Sequence, residues 1–163
     1  MGRRGIETAL SAGLLFAVLG LVAWVTGRAF VFPSLGPSAF ALAFARPDDR
    51  PSGYRVVGSH VVGAVAGFLA YAFVASGVVL TATPPPFSLG GLRLVASGLL
   101  SVVATSWGMV ATDTVHAPAC ATTLIVSLGL LSSVTEVGII VLSVVLLVGA
   151  SAVVNRPTAS FGN

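Results

Sequence analysis

His116 and Pro118 sit together in the stretch Val115-His116-Ala117-Pro118-Ala119-Cys120, between two apolar runs long enough to lie in a membrane. An ionisable ring in such a setting is by default a candidate for function. Pro118 lacks an N–H and restricts the residue before it, so a helix arriving from Trp107 is expected to break near His116 and restart near Pro118. At membrane depth a break of this kind is tolerated only where protein or a water-filled cavity covers it. The restart would present unpaired backbone N–H groups and the positive end of a helix beside an imidazole, which suits a small anion. His116 would donate to that anion through either ring nitrogen, or carry a proton with it.

A second segment has similar punctuation. Ala29 to Ala45 is apolar but holds Pro33, Gly36 and Pro37, and it is expected to run extended from Phe30 to Gly36 and to become a short helix from Ser38 to Ala45. Its helix start near Ser38 would then face the start near Ala119 from the opposite side. The hydroxyls of Ser34, Ser38, Thr112, Thr114, Thr122 and Thr123 lie close by in sequence. The candidate anion site comprises His116, Ser34, Ser38, Pro37, Pro118, Ala119, Cys120, Thr114 and His60. Each also has a plainer reading. His116 would bond a backbone carbonyl freed by Pro118, His60, five residues past Arg55, would be hydrated near the interface, and Cys120 would be a small packing residue. Asp113 and Glu136 bracket the second segment, with Asp113 placed to join a proton path or simply to end the segment in water.

The elements that hold these residues follow from composition. Of 163 residues 56% are hydrophobic and only 8% charged, and the mean hydropathy is +1.03, whereas about a quarter of the residues in soluble domains are charged. An integral membrane protein is expected. All eight basic residues are arginine, and they stand at the ends of apolar runs rather than on one face, which argues for helix anchoring and against nucleic-acid binding. One cysteine precludes an intrachain disulfide. Two histidines and one distant cysteine make neither a metal site nor a hydrolytic triad within one subunit, so no enzyme and no cofactor are expected.

Taken in order, Ala9 to Thr26 is a first span of about 27 Å at ~1.5 Å per residue, retained rather than cleaved. The second segment follows it, then a turn-rich loop from Arg46 to Arg55 and a long run from Val56 to Thr83 in which Gly63-x-x-x-Gly67 permits close helix approach. Pro84-Pro85-Pro86 closes a first half, about residues 1–83. The other half, 84–163, repeats the order with a helix from Leu94 to Thr112, the His116 segment with its apolar part from Ala119 to Leu131, and a last span from Val137 to Val154. Pro37-Ser38-Ala39 and Pro118-Ala119-Cys120 take equivalent places in the two halves. Trp24 and Trp107 are expected as interfacial or packing aromatics.

Topology depends on whether the two punctuated segments cross. If they re-enter and leave on the same side, the arginines divide four against four. If they cross, Arg3, Arg4, Arg46, Arg50, Arg55 and Arg156 share one side and only Arg28 and Arg93 stand opposite. The second arrangement follows the positive-inside pattern, with both termini cytoplasmic in a multi-pass cell-membrane protein. The expected fold is therefore all-α, with four full transmembrane helices and two discontinuous segments in two inverted repeats of helix, broken helix, helix. A tail after Val154 is expected to be poorly ordered.

The same segments carry a family resemblance. Phe32-Pro33-Ser34-Leu35-Gly36-Pro37-Ser38-Ala39, Val57-Gly58-Ser59-His60 and Thr114-Val115-His116-Ala117-Pro118-Ala119-Cys120-Ala121 resemble the motifs of the HPP family of integral membrane proteins, named for a His-Pro-Pro triplet, over about Ala9 to Val154. The chain departs from the pattern at Ala117, where the family has its first proline, and at Cys120, where a small glycine or alanine is usual. The resemblance implies four transmembrane helices and, from plant and cyanobacterial members, nitrite transport. Some relatives carry a CBS pair after the membrane domain, and none is expected here. Together these readings point to a transporter or channel for a small anion such as nitrite, working in the bilayer as a homo-oligomer. The alternative is a structural or regulatory membrane subunit that transports nothing.

Overall fold

A computed structural model describes residues 3–154 of the chain. Among the described residues six helices make up the bundle: α1 (Arg3–Thr26), α2 (Val31–Phe44), α3 (Gly53–Ala70, continued by a π-helical turn Tyr71–Ala75), α4 (Leu89–Ala111), α5 (Cys120–Ser127, entered through a 3₁₀ turn Ala117–Ala119) and α6 (Val134–Val154). Four segments are long and apolar enough to cross a membrane, namely Gly5–Thr26, Gly53–Ala75, Leu89–Ala111 and Val134–Val154. This is an all-α membrane protein, with α2 and α5 as its two short members.

Side-chain contacts fix the direction of each element. Gly20 of α1 faces the Phe32 ring and Gly36 of α2 faces Phe16, so α1 and α2 form an antiparallel hairpin. Gly53 at the start of α3 meets Val148 near the end of α6, and Arg28 after α1 pairs with Glu136 at the start of α6 at 3.3 Å. Tyr54 donates to the Thr112 carbonyl at 3.0 Å, which brings the end of α4 beside the start of α3. From there Thr114 lies against Gly58, Ala119 and Thr123 against Gly63, and Val126 against Gly67, so the His116 segment and α5 run parallel to α3. They arrive at the opposite end, where the Leu80 N–H meets the Leu128 carbonyl. Both short elements therefore run from one end of the bundle to the other, and the chain passes along it six times.

Three passes per half leave the halves pointing in opposite directions. Packing pairs correspond when the halves are exchanged: α1 on α2 with α4 on α5, α1 on α6 with α4 on α3, and α2 on α6 with α5 on α3. One end of the bundle carries Arg46, Arg50 and Arg55, and the other Arg28 and Arg93. Arg156 and the tail from Asn155 onward lie outside the described residues.

The second segment differs from the sequence expectation. There is no extended stretch from Phe30 to Gly36, because α2 is helical from Val31 through Pro37 to Phe44. Pro33 falls in the first turn, where an N–H would have no helical partner anyway. Pro37 forfeits one helical hydrogen bond, and burial of Val31, Leu35, Ala39 and Leu42 compensates at ~1.5–3 kcal/mol per large side chain. These residues belong to an apolar core with Leu15 and Leu19 of α1 and Ile140, Val144 and Leu147 of α6. The run from Val56 to Thr83 also stops short of Thr83. Its helix ends at Ala75, followed by Gly77 at φ +81, and Arg93 donates to the freed carbonyls of Val74 and Ser76. The polar break before α6 is a capping box, in which Ser133 accepts from the Glu136 N–H while the Glu136 carboxylate accepts from Ser133.

Candidate functional site

Beside the apolar core, α2, α3 and α5 enclose a polar cluster. Ser34 and Ser38 stand four residues apart, which puts both hydroxyls on one face of α2. His60 projects from α3, and it comes close to α5 because Gly63 and Gly67 remove the side chains that would hold the two helices apart. A Cβ at Gly63 would lie 2.6 Å from Thr123 Oγ1 and 3.2 Å from the Ala119 carbonyl, and one at Gly67 would lie 2.7 Å from the Thr123 carbonyl. The close helix approach expected of these glycines takes place within the chain itself.

His116 reaches the cluster from the break. α4 ends in a left-handed Asp113 (φ +52), the Thr114 N–H closes the turn on the Met109 carbonyl, and His116 is extended at φ −148 and ψ 96 before the Ala117–Ala119 turn begins. The expected break is present and lies at residues 112–116. The turn, however, uses the Ala119 N–H on the His116 carbonyl and the Cys120 N–H on the carbonyls of Ala117 and Pro118. Few bare amides remain at this restart. Ser38 lies within α2 rather than at its beginning, so the pair of facing helix starts expected from the sequence is absent.

Side chains instead provide the site. Ser38 Oγ lies 2.8 Å from Nε2 of His60 and 3.0 Å from Nε2 of His116. The two rings stand 6.1 Å apart at 58°. On its other edge, His60 Nδ1 meets Thr122 Oγ1 at 2.6 Å, and Thr122 shares a hydrogen bond with Ser34 Oγ at 2.8 Å while also reaching the Ser34 carbonyl at 3.3 Å. A serine hydroxyl has one hydrogen, so Ser38 donates to one ring and accepts from the other, and at least one Nε2 carries hydrogen. His60 is 0% exposed and His116 7%. His60 is thus interior rather than hydrated at an interface, and His116 bonds a hydroxyl rather than a carbonyl freed by Pro118.

Among the nine residues singled out, His116, His60, Ser38 and Ser34 come together directly. Pro118 and Ala119 shape the turn behind His116. Pro37 is on the outer side of α2. Thr114 bonds Thr112 at 2.7 Å and packs on Gly58, away from the hydrogen bonds of the rings. Cys120 lines a groove of about 320 Å³ between α4 and the break, together with Met109, Val115 and Ala117. Thr122 was legible only as a nearby hydroxyl, yet it joins His60 to Ser34. The signal was its place in the Thr122-Thr123 pair, whose other member bonds Thr105 of α4 at 3.0 Å. Asp113 pairs with Arg55 at 3.5 Å, at the exposed end of the segment.

A family model described as HPP, transmembrane region, matches residues 3–160. No curated protein and no solved structure matches the chain.

Proposed function

Starting from its membership of the HPP transmembrane family, we propose that the chain is a transporter or channel for a small monovalent anion, with nitrite the first substrate to test. The nitrite assignment draws on the family resemblance. The observation that carries the site is the Ser38 bridge between two imidazoles beside the break at residues 112–116. Burying two rings and three hydroxyls costs desolvation that an apolar packing of the same volume would not incur. A hydrogen-bonded cluster of this kind beside a break in the helix is the arrangement found where membrane proteins handle polar cargo. His116, with ring surface remaining and a groove beside its neighbours Val115 and Ala117, is the residue that would meet the anion. We place the end bearing Arg46, Arg50 and Arg55 in the cytoplasm, following the positive-inside pattern.

Nitrite uptake into proteoliposomes containing only this protein tests the proposal, with protein-free liposomes as baseline. Uptake above baseline is expected, falling at least tenfold in His116→Ala, which removes the ring but no helical hydrogen bond. Pro118→Leu is expected to be at least as harmful, since it allows a continuous helix to close the break. Baseline uptake by the unaltered protein would favour the structural or regulatory subunit, and normal uptake by both variants would make the segment a structural kink.

A further inference from the structure

We propose that the anion is carried together with one proton, which His116 Nδ1 takes up, and that Thr122 is the residue that makes this coupling obligatory. The proposal rests on the transport reading above and deepens it.

Hydrogen bonds link His116, Ser38, His60, Thr122 and Ser34 into one chain whose hydrogens can be counted. Each neutral imidazole and each hydroxyl contributes one, so the chain has two possible polarities. In the first, His116 Nε2–H donates to Ser38, Ser38 donates to His60 Nε2, and His60 Nδ1–H donates to Thr122. Thr122 also accepts from the Ser34 hydroxyl and gives its own hydrogen to the Ser34 carbonyl. In the reversed polarity Thr122 must donate to His60 Nδ1, and its bond to the Ser34 carbonyl is lost. The first network contains one more hydrogen bond and leaves every hydrogen of the chain donated, so it is the resting arrangement.

That arrangement determines what His116 shows to the outside. Its Nδ1 has no hydrogen-bond partner among the described residues and is not sealed from the surface. With hydrogen held on Nε2, Nδ1 is a bare lone pair, which accepts a proton and repels an anion. Once a proton arrives, the imidazolium donates through Nδ1 to the anion and through Nε2 to Ser38, and no other bond in the chain has to change. The balance is one proton and one monovalent anion bound, one proton and one anion released, with no net charge moved.

Other charged groups stand clear of the ring. On α3, His60 faces it through Ser38, and Arg55 is paired with Asp113 at the end of the bundle. α2 has no charged residue, the single charge of α4 is Arg93 at the far end, and α5 brings the Cys120 thiol to the neighbouring groove.

The test uses proteoliposomes of the full chain with nitrite as probe, a pH dye inside, and protein-free liposomes as baseline. Expected are accumulation driven by an acid exterior, one proton entering per nitrite, and no response to a potassium-diffusion potential. Uptake that follows the potential without proton entry would overturn the coupling while leaving the transport reading intact. No uptake above baseline would overturn both. Thr122→Val, which keeps shape but deletes the hydroxyl, frees the reversed polarity, in which neutral His116 already offers Nδ1–H. Whatever its rate, the nitrite that enters through this variant is expected to bring clearly less than one proton per anion, whereas a purely structural threonine would change the rate and leave the ratio at one. Should Thr122→Val fail to fold, ¹⁵N-histidine spectra of the unaltered protein decide: nitrite should protonate His116 Nδ1 at a pH where the free protein leaves it bare, and an unchanged Nδ1 with nitrite bound would overturn the proposal.

Discussion

Gly63 of α3 and Thr123 of α5 approach so closely that a Cβ on the glycine would lie 2.6 Å from the threonine hydroxyl. The contact sets the spacing between the two helices, and the hydrogen bond from His60 to Thr122 depends on that spacing. A glycine here is selected by distance rather than by backbone conformation, and so is Gly67 one turn later.

Gly67→Val is accordingly expected to be costly. Its new side chain meets the Thr123 carbonyl and Val126 Cβ at 2.7 and 3.0 Å, neither of which yields by rotating a flexible side chain. Overpacking of this kind costs ~1–3 kcal/mol, to be read as a lowered midpoint of thermal unfolding in detergent, with nitrite uptake falling in parallel. Gly138→Ala on α6, where a Cβ meets nothing within 4 Å, is the control and should leave both unchanged.

Six passes along the bundle place Arg50 at the same end as the finish of α6, and the turn at Phe87 at the other. In a Cys120→Ala background, Arg50→Cys and Asn163→Cys should be labelled by an impermeant thiol reagent from one face of the membrane, and Phe87→Cys from the opposite face. Labelling of Arg50→Cys and Asn163→Cys from opposite faces would mean that α5, which lies between them in the chain, re-enters instead of crossing.

The start of α6 separates a cap from an ion pair. Ser133→Ala deletes the hydroxyl that accepts from the Glu136 N–H, a loss of about 1 kcal/mol for a helix cap. Glu136→Gln keeps a capping-box side chain but discharges the pair with Arg28, whose side chain is 49% exposed, so less than ~1 kcal/mol is expected. Thermal unfolding should rank Ser133→Ala as the more damaging, and the reverse order would make the Arg28 tie the dominant restraint on that end.

Several features could be read from the amino-acid sequence because each depends on one short stretch. Apolar length set the long spans, Pro118 set the break beside His116, and the arginines stood unevenly only in the arrangement with six passes, which is the path the chain takes through the bundle. The Val31–Phe44 helix could not be read so. Local chemistry counts Pro33 and Pro37 against a helix, and the compensation comes from burying Leu35, Ala39 and Leu42 against residues far away in the chain. The cluster is of the same kind. Ser38 lies 22 and 78 residues from the two histidines it bridges, and Ser34 lies 88 residues from Thr122. Residue types announced polar chemistry in an apolar bundle, but which hydroxyl meets which ring nitrogen depends on how far apart the helix axes lie. Tertiary packing decides that distance, through glycines whose missing side chains let α3 and α5 touch.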